Sequence, residues 1–270
     1  MKKCLVYGNC QAAAVKTYLQ KNSTVASAYR FVDVKPVHLL SKIDIPFLNQ
    51  VISEIDLMIY QPVSDNYKGI YQLSTRYLKD KLKSDCQVIS FPVVYFTGYN
   101  PEVIYLKDLN GTVISEPFAY HDVNILRLFA QGKSVRDIVT IIQSDEFYNS
   151  SFVKKQLNNT ISNLNVRENE IDQRLSPFIQ DNFRNERLFH VFNHPSKTIL
   201  SFIANLILER LGIKDRSFNI SSNADILSKN SLPIYPSIIK YLKIQFPCTS
   251  DYRFENINYT AEPLAETLMF

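Results

Sequence analysis

The chain has 270 residues, 46% of them hydrophobic and 21% charged, with a formal net charge of +4. This is the composition of a globular protein, and it excludes disordered, collagen-like and small disulfide-stapled classes while allowing one large or two modest domains. The mild positive balance gives no ground for a nucleic-acid partner and suits an anionic small molecule.

Along the first part, short apolar runs alternate with helical segments. Cys4–Tyr7 reads as a strand and Ala12–Leu19 as a helix, followed by a strand over Tyr29–Val34. Pro46–Ile52 reads as a short helix with proline in its first turn. Leu57–Gln61 is a third strand, Ser74–Leu82 a helix, and Gln87–Phe91 a fourth strand closed by Pro92. Such alternation predicts right-handed βαβ units and a parallel sheet, with functional groups gathered outside the carboxyl ends of the strands.

From about Tyr120 the pattern turns mainly helical, so residues 1–119 are expected to form an α/β subdomain and 120–270 a mainly helical region. Val123–Gln131 ends at Gly132, and Ser134 can cap Val135–Ile142. Asn158–Asp181 is polar and reads as exposed helix or linker. Leu188–Phe192 is an apolar run expected to return to the sheet. Ser196 is then expected to cap a long helix whose stripe Ile199, Ile203, Ile207 and Leu211 marks a buried face. Pro233–Ser237 is a rigid connector into Ile238–Leu242.

The four cysteines, Cys4, Cys10, Cys86 and Cys248, form no C-x-x-C pair. They argue against structural zinc and for reduced thiols in a cytoplasmic setting. The apolar run after Lys2 and Lys3 is too short for a signal-peptide core, and no stretch approaches the roughly 20 apolar residues of a membrane span.

Chemistry centres on Tyr7-Gly8-Asn9-Cys10-Gln11, a thiol on a strand-to-helix turn with the order of a nucleophile elbow. Asn9 is a good N-cap and places Cys10 at the first helical position, where unpaired N–H groups and the helix dipole favour a thiolate and an oxyanion. The competing reading is a small buried hydrophobe. His194, in Phe192-Asn193-His194-Pro195-Ser196, is a candidate general base, or else a loop histidine that only shapes its turn. A thiol nucleophile needs a nearby base, so the two strengthen each other, provided that they share a cleft. Gln61-Pro62 ends the third strand, and its amide is either an oxyanion donor or a polar strand cap.

Weaker candidates are Tyr67, Arg76, Tyr95, Tyr99, His121 and Lys197. The aromatic loop from Pro92 to Tyr99 can stack on a sugar or simply pack. His121-Asp122 is an oriented pair or a helix N-terminus. The helix–Gly132–helix segment over 124–142 resembles a helix-turn-helix, but it has no basic cluster, and an αα-hairpin is the better reading. With six glycines and no G-x-G-x-x-G, the chain lacks a Gly-rich phosphate loop.

These residues resemble the WcbI-type polysaccharide-biosynthesis acetyltransferases. The shared features are Gly8-Asn9-Cys10-Gln11, Gln61-Pro62, Phe91-Pro92 with Tyr95-Phe96 and Gly98-Tyr99, Gly132 with Ser134, His194-Pro195-Ser196, and Pro233-Ile234-Tyr235-Pro236. The resemblance implies a small α/β subdomain joined to a mainly helical remainder, a pocket for coenzyme A or acetyl-CoA, no metal, and acylation of a capsule or surface-polysaccharide sugar. The Gly-x-Cys turn and His-Pro also look like the nucleophile and base blocks of SGNH hydrolases. Those enzymes place an acid three residues before the histidine, where this chain has Val191. Asp65, Glu116 or Asp122 could supply the acid from elsewhere, or the site runs as a Cys–His dyad. An esterase or thioesterase using the same residues, and a non-catalytic coenzyme A- or sugar-binding module, are the alternatives.

Overall fold

The computed structural model describes residues 1–115, 118–169, 171–221, 225–255 and 257–260. It divides into two compact units that are each discontinuous in sequence. The first takes Met1–Val94, Asn165–Pro177 and Lys197–Ile226; the second takes Tyr95–Leu164, Phe178–Ser196 and Leu227–Phe270.

The first unit is built on strands β1 (Lys2–Tyr7), β2 (Tyr29–Phe31), β3 (Leu57–Tyr60) and β4 (Gln87–Ser90). All pair in parallel, in the order β2-β1-β3-β4. Helices α1 (Cys10–Gln20), α2 (Ser23–Ala28), α3 (Ile45–Glu54) and α4 (Thr75–Lys79) fill the crossovers. Leu5, Tyr7, Met58 and Tyr60 enter one core with Leu48 and Ile52 of α3 and Leu78 of α4. Their alternate neighbours Cys4, Val6, Leu57 and Ile59 are buried too. Burial on both faces is why these strands read as continuous apolar runs. The α/β class expected from the sequence is the one adopted.

The second unit carries β5 (Val103–Ile104) paired antiparallel with β6 (His121–Asp122), and the hairpin of α5 (Val123–Ala130) and α6 (Val135–Ile142). Gly132 takes φ +76°, and the Ser134 side chain caps α6 by accepting from the Asp137 N–H. Next come α7 (Ser150–Glu168), whose last residues belong to the first unit, and α8 (Ser176–Asn182). The segment expected to be exposed helix or linker is therefore mostly helix, beginning before Asn158.

Strands β7 (Phe189–Val191) and β8 (His194–Pro195) form an antiparallel ribbon. Leu188–Phe192 thus does not return to the parallel sheet; a run of so few residues buries equally well in a separate ribbon. Helix α9 (Lys197–Arg210) lies in the first unit against α1. Its Ile199, Ile203 and Ile207 are fully buried as the stripe predicts. Ser196 does not cap it, because its hydroxyl has no hydrogen-bond partner. Helix α10 (Pro236–Leu242) follows the Pro-Ile-Tyr-Pro connector, and β9 (Tyr252–Phe254) pairs with β10 (Ile257–Tyr259).

Candidate functional site

Strand order reverses between β1 and β3, and a crevice at such a point lies beyond the carboxyl ends of the two strands. Gly8-Asn9-Cys10-Gln11 and Gln61 occupy those two ends. Asn9 caps α1 as its residue type predicts: its Oδ1 accepts from the Gln11 N–H at 2.9 Å, and Cys10 becomes the first helical residue. Gly8 is required by close approach. A Cβ there would lie 2.5 Å from Gln61 Oε1 and 2.8 Å from the Ala12 methyl.

Gln61 and Gln11 are fully buried and hold the turn together. Gln61 Oε1 accepts from the Asn9 N–H at 3.0 Å, while its Nε2 donates to Gln11 Oε1 and to the Pro92 carbonyl. Gln11 Oε1 also accepts from the Val94 N–H, and Gln11 Nε2 donates to the Val94 carbonyl at 2.7 Å. Both amide hydrogens of Gln61 are thus engaged within the scaffold. It supports the turn rather than presenting a free donor to an oxyanion. Among the described residues, the Ala12 amide has no scaffold partner, while the Cys10 amide lies with the Gln11 amide against the thiol.

The Cys10 thiol is half-buried, and burial pushes its pKa up; the Gln11 and Cys10 N–H groups pull it down by less. The helix N-terminus therefore does not yield a preformed thiolate, contrary to the expectation from the turn. Desolvation outweighs the two amide contacts. Beside the turn lies a cavity of 160 Å³ lined by Gly8, Asn9, Ala12, Ala13, Lys16 and Lys35 among others. Lys16 pairs with Asp33 and Lys35 with Asp44. Nothing in the sequence singled out these two lysines, because most lysines are simply solvated.

Other candidates in the first unit are more peripheral. Arg76 is exposed and paired at 3.1 Å with Asp65, whose side chain is also exposed. Tyr67 packs its ring against the core under the sheet. Lys197 opens α9 with an exposed side chain; its N–H donates to Asp225.

His194 belongs to the second unit. Its Nε2 lies 3.2 Å from the Tyr120 hydroxyl, which also donates to Asn193 Oδ1 at 3.1 Å. The Asn193 amide in turn donates to the Tyr105 hydroxyl at 2.8 Å. Burial lowers the pKa of His194 to about 4, and nearby His190 adds to this; the Leu227 backbone carbonyl and Glu255 pull upward. Tyr120, Asn193 and Tyr105 went unnoticed in the sequence, although Asn193 adjoins His194.

Tyr95 is half-buried with its ring edge-on to Phe192 at 6.0 Å. Tyr99 is core: it is 1% exposed and its hydroxyl donates to the Phe183 carbonyl at 2.5 Å. It is removed from the ligand-contacting candidates. His121 is also buried. Of the two readings of His121-Asp122, the helix N-terminus holds, since Asp122 caps α5 by accepting from the Asn124 and Ile125 N–H groups. Asp122 takes a third hydrogen bond from Tyr235, which occupies it as a structural acceptor. Glu116, the remaining acid considered, lies outside the described residues. Among the described residues no group of three or more His, Cys, Asp or Glu could hold a metal ion. No helix there is long and apolar enough to cross a membrane.

One solved structure, of a native WcbI polysaccharide biosynthesis enzyme without a disulfide between coenzyme A and one of its cysteines, matches 98% of this chain and 88% of its own. The TM-score is 0.84 and the sequence identity 25%. Among curated proteins no relative matches. The family model for the polysaccharide biosynthesis enzyme WcbI matches residues 3–216, so the chain belongs to the WcbI family of polysaccharide biosynthesis enzymes.

Proposed function

We propose that the chain transfers an acetyl group from coenzyme A to a sugar hydroxyl of a capsule or other surface polysaccharide, with Cys10 as nucleophile and His194 as base. The observation that carries the reading is the place of Cys10. It is a thiol at the first position of α1, where the sheet order reverses, in a family with a solved member described through coenzyme A and a cysteine.

The residues at hand fit coenzyme A. The cavity beside the turn is lined by Lys16 and Lys35, whose ammonium groups, now paired with Asp33 and Asp44, suit phosphates. Gly8, Ala12 and Ala13 keep its wall open. When bound, coenzyme A supplies the acyl group as a thioester. Cys10 must lose its proton before it can attack, because burial holds the thiol protonated. His194, with a pKa of about 4, is neutral near pH 7 and free to accept that proton. The Ala12 amide, and the Cys10 amide once the sulfur has attacked, are the donors for the tetrahedral oxygen, and such donors contribute roughly 3–4 kcal/mol each. The bond from the acyl carbon to the coenzyme A sulfur then breaks, and His194 returns the proton to that departing sulfur, which leaves the acyl group on Cys10 and the imidazole neutral again. In the second half-reaction His194 takes the proton of the acceptor hydroxyl as its oxygen bonds the acyl carbon. The proton then returns to the Cys10 sulfur as the acyl–sulfur bond breaks.

The Cys10 turn and His194-Pro195 correspond to the nucleophile and base blocks of an SGNH-like enzyme. Four unpaired thiols suit a reducing cytoplasm. The test is the intact mass of the protein after acetyl-CoA, with and without a sugar. The expected result is a gain of one acetyl group, absent in Cys10→Ala and discharged by sugar. An unmodified wild-type protein with undiminished transfer by Cys10→Ala would remove the covalent step. Full-rate hydrolysis of acetyl-CoA without sugar would replace transferase by thioesterase.

A further inference from the structure

We propose that Tyr105, Asn193 and Tyr120 form the subsite that holds the acceptor as a neutral, hydroxyl-rich pyranose beside His194. This rests on the acyl-transfer reading for its role and on the geometry of the second unit for its place.

Three observations converge on one patch. The first is a continuous polar chain ending at the candidate base: Asn193 Nδ2 to the Tyr105 hydroxyl at 2.8 Å, the Tyr120 hydroxyl to Asn193 Oδ1 at 3.1 Å, and the same hydroxyl to His194 Nε2 at 3.2 Å. The second is the aromatic wall behind it. Tyr105 meets Phe192 at 5.3 Å and 70° and Tyr120 at 5.4 Å, while Tyr120 meets Phe192 edge-on at 5.9 Å. The third is access. Tyr105 is 38% exposed, and the hydrogen bond between its hydroxyl and Asn193 lies at the exposed side of the patch.

Uncharged amide and phenol groups read hydroxyls in both directions, since each can donate and accept. Aromatic rings offer a flat apolar surface to the C–H face of a sugar ring. This combination suits a pyranose. The chain also orders the subsite: a sugar oxygen bonded to Asn193 is linked to His194 Nε2 through Asn193 and Tyr120, and one bonded to Tyr105 through Tyr105 as well. Tyr120 touches the imidazole directly and is a positioning residue. Its single proton decides which His194 nitrogen is bare. When Tyr120 donates to Asn193 Oδ1, it accepts from Nε2–H and leaves Nδ1 as the lone pair; when it donates to Nε2, the tautomer reverses.

The experiment has two independent arms on the full-length chain. In the first, saturation-transfer NMR measures binding of methyl glucoside, methyl galactoside and methyl mannoside, with no chemistry involved. At least one glycoside is expected to bind wild type. Tyr105→Phe and Asn193→Ala, which each remove one hydrogen-bonding group, should weaken it by up to about tenfold. Tyr105→Phe keeps the ring and the fold, so the arm stays decisive if Asn193→Ala does not fold. In the second arm, acetyl transfer is followed with the sugar varied. The acceptor KM should rise in both variants by more than the acetyl-CoA KM, and Tyr120→Phe should move the acid limb of the pH profile, which a purely structural hydroxyl would not do. Glycoside binding or acceptor KM unchanged in Tyr105→Phe and Asn193→Ala overturns the subsite even where acetyl transfer is intact. Glycoside binding that depends on these residues, in a protein that never takes up an acetyl group, upholds the subsite and overturns acyl transfer instead.

Discussion

At the scale of single residues, the turn at Cys10 is governed by Gly8, Gln11 and Gln61, which make no chemistry of their own. Gly8→Ala would drive a Cβ to within 2.5 Å of Gln61 Oε1. The expected cost is about 1–3 kcal/mol, the usual range for overpacking a tight site, read as a lower denaturation midpoint at unchanged slope. Gln61→Leu should cost more, roughly 2–4 kcal/mol, because it strands the buried Pro92 carbonyl and the half-buried Asn9 N–H and deprives Gln11 of a donor. The thiol itself sets a pH prediction. Burial raises its pKa, so alkylation of Cys10 by iodoacetamide should be slow at neutral pH and still be climbing above the ordinary cysteine range; a plateau near neutrality would contradict this. His194 shifts the other way. With its pKa near 4, the acid limb of kcat/KM should fall far below that of a free imidazole.

At the scale of elements, the sequence was most legible where burial is two-sided or where a cap has a fixed chemistry. The four parallel strands stand out as apolar runs, and Asn9, Gly132 and Ser134 announce the ends of α1, α5 and α6. Leu188–Phe192 has the same apolar signature yet lies in a hairpin ribbon, because a short run does not record which neighbour it pairs with. The roles of Gln61 and Tyr99 were illegible for a related reason: an amide or phenol spends its hydrogen bonds on partners distant in sequence, here Pro92 and Phe183. The α5 N-terminus carries a further consequence of this kind. Asp122, its cap, shares a buried region with Glu102, whose Oε2 finds no hydrogen-bond partner. Burial, then the Asp122 charge, push Glu102 well above the usual carboxylate range, and burial lifts Asp122 to about 6. Asp122 is held by Tyr235 and two backbone N–H groups, so of the two carboxyls it is the better stabilised as the anion and Glu102 the readier to keep its proton. A folded pKa above the unfolded value means that the native state binds the extra proton. Stability is therefore fully present below about pH 4, the unfolded value, and is lost as pH rises through the folded pKa. Glu102→Gln keeps the shape and removes the titration. Its urea stability should exceed that of wild type at alkaline pH, where wild type must bury the Glu102 charge, and the pH slope should flatten. Parallel pH profiles for the two proteins would show that Glu102 does not titrate with folding.

At the scale of the whole molecule, neither compact unit is a continuous stretch of chain. The backbone passes from one to the other after Val94, Leu164, Pro177, Ser196 and Ile226. The consequence is clearest for the sheet. A fragment ending at Val94 contains every parallel strand and all of the Cys10 turn, so by sequence order it looks self-sufficient. It lacks α9, which packs on α1, and the segment after it, in which the Asp215 and Ser217 carbonyls accept from Asn22 Nδ2 and Phe218 meets Tyr18 edge-on at 5.4 Å. It also lacks Asp172, which accepts from the Ser90 N–H and hydroxyl at the end of β4. Removing that cover exposes Val15, Tyr18 and Leu19, all buried in the intact unit. At about 1.5–3 kcal/mol for each large apolar side chain, the loss is comparable to the roughly 5–15 kcal/mol that holds a typical domain together. Residues 1–94 alone should therefore show no cooperative urea transition and poorly dispersed amide NMR signals. Joining Lys197–Ile226 to that fragment through a flexible linker should restore both. A cooperative transition in the shorter fragment would mean that the α1 face is stable without its distant cover. The Cys10 turn would then be a product of local sequence rather than of a unit assembled from three separate stretches of chain.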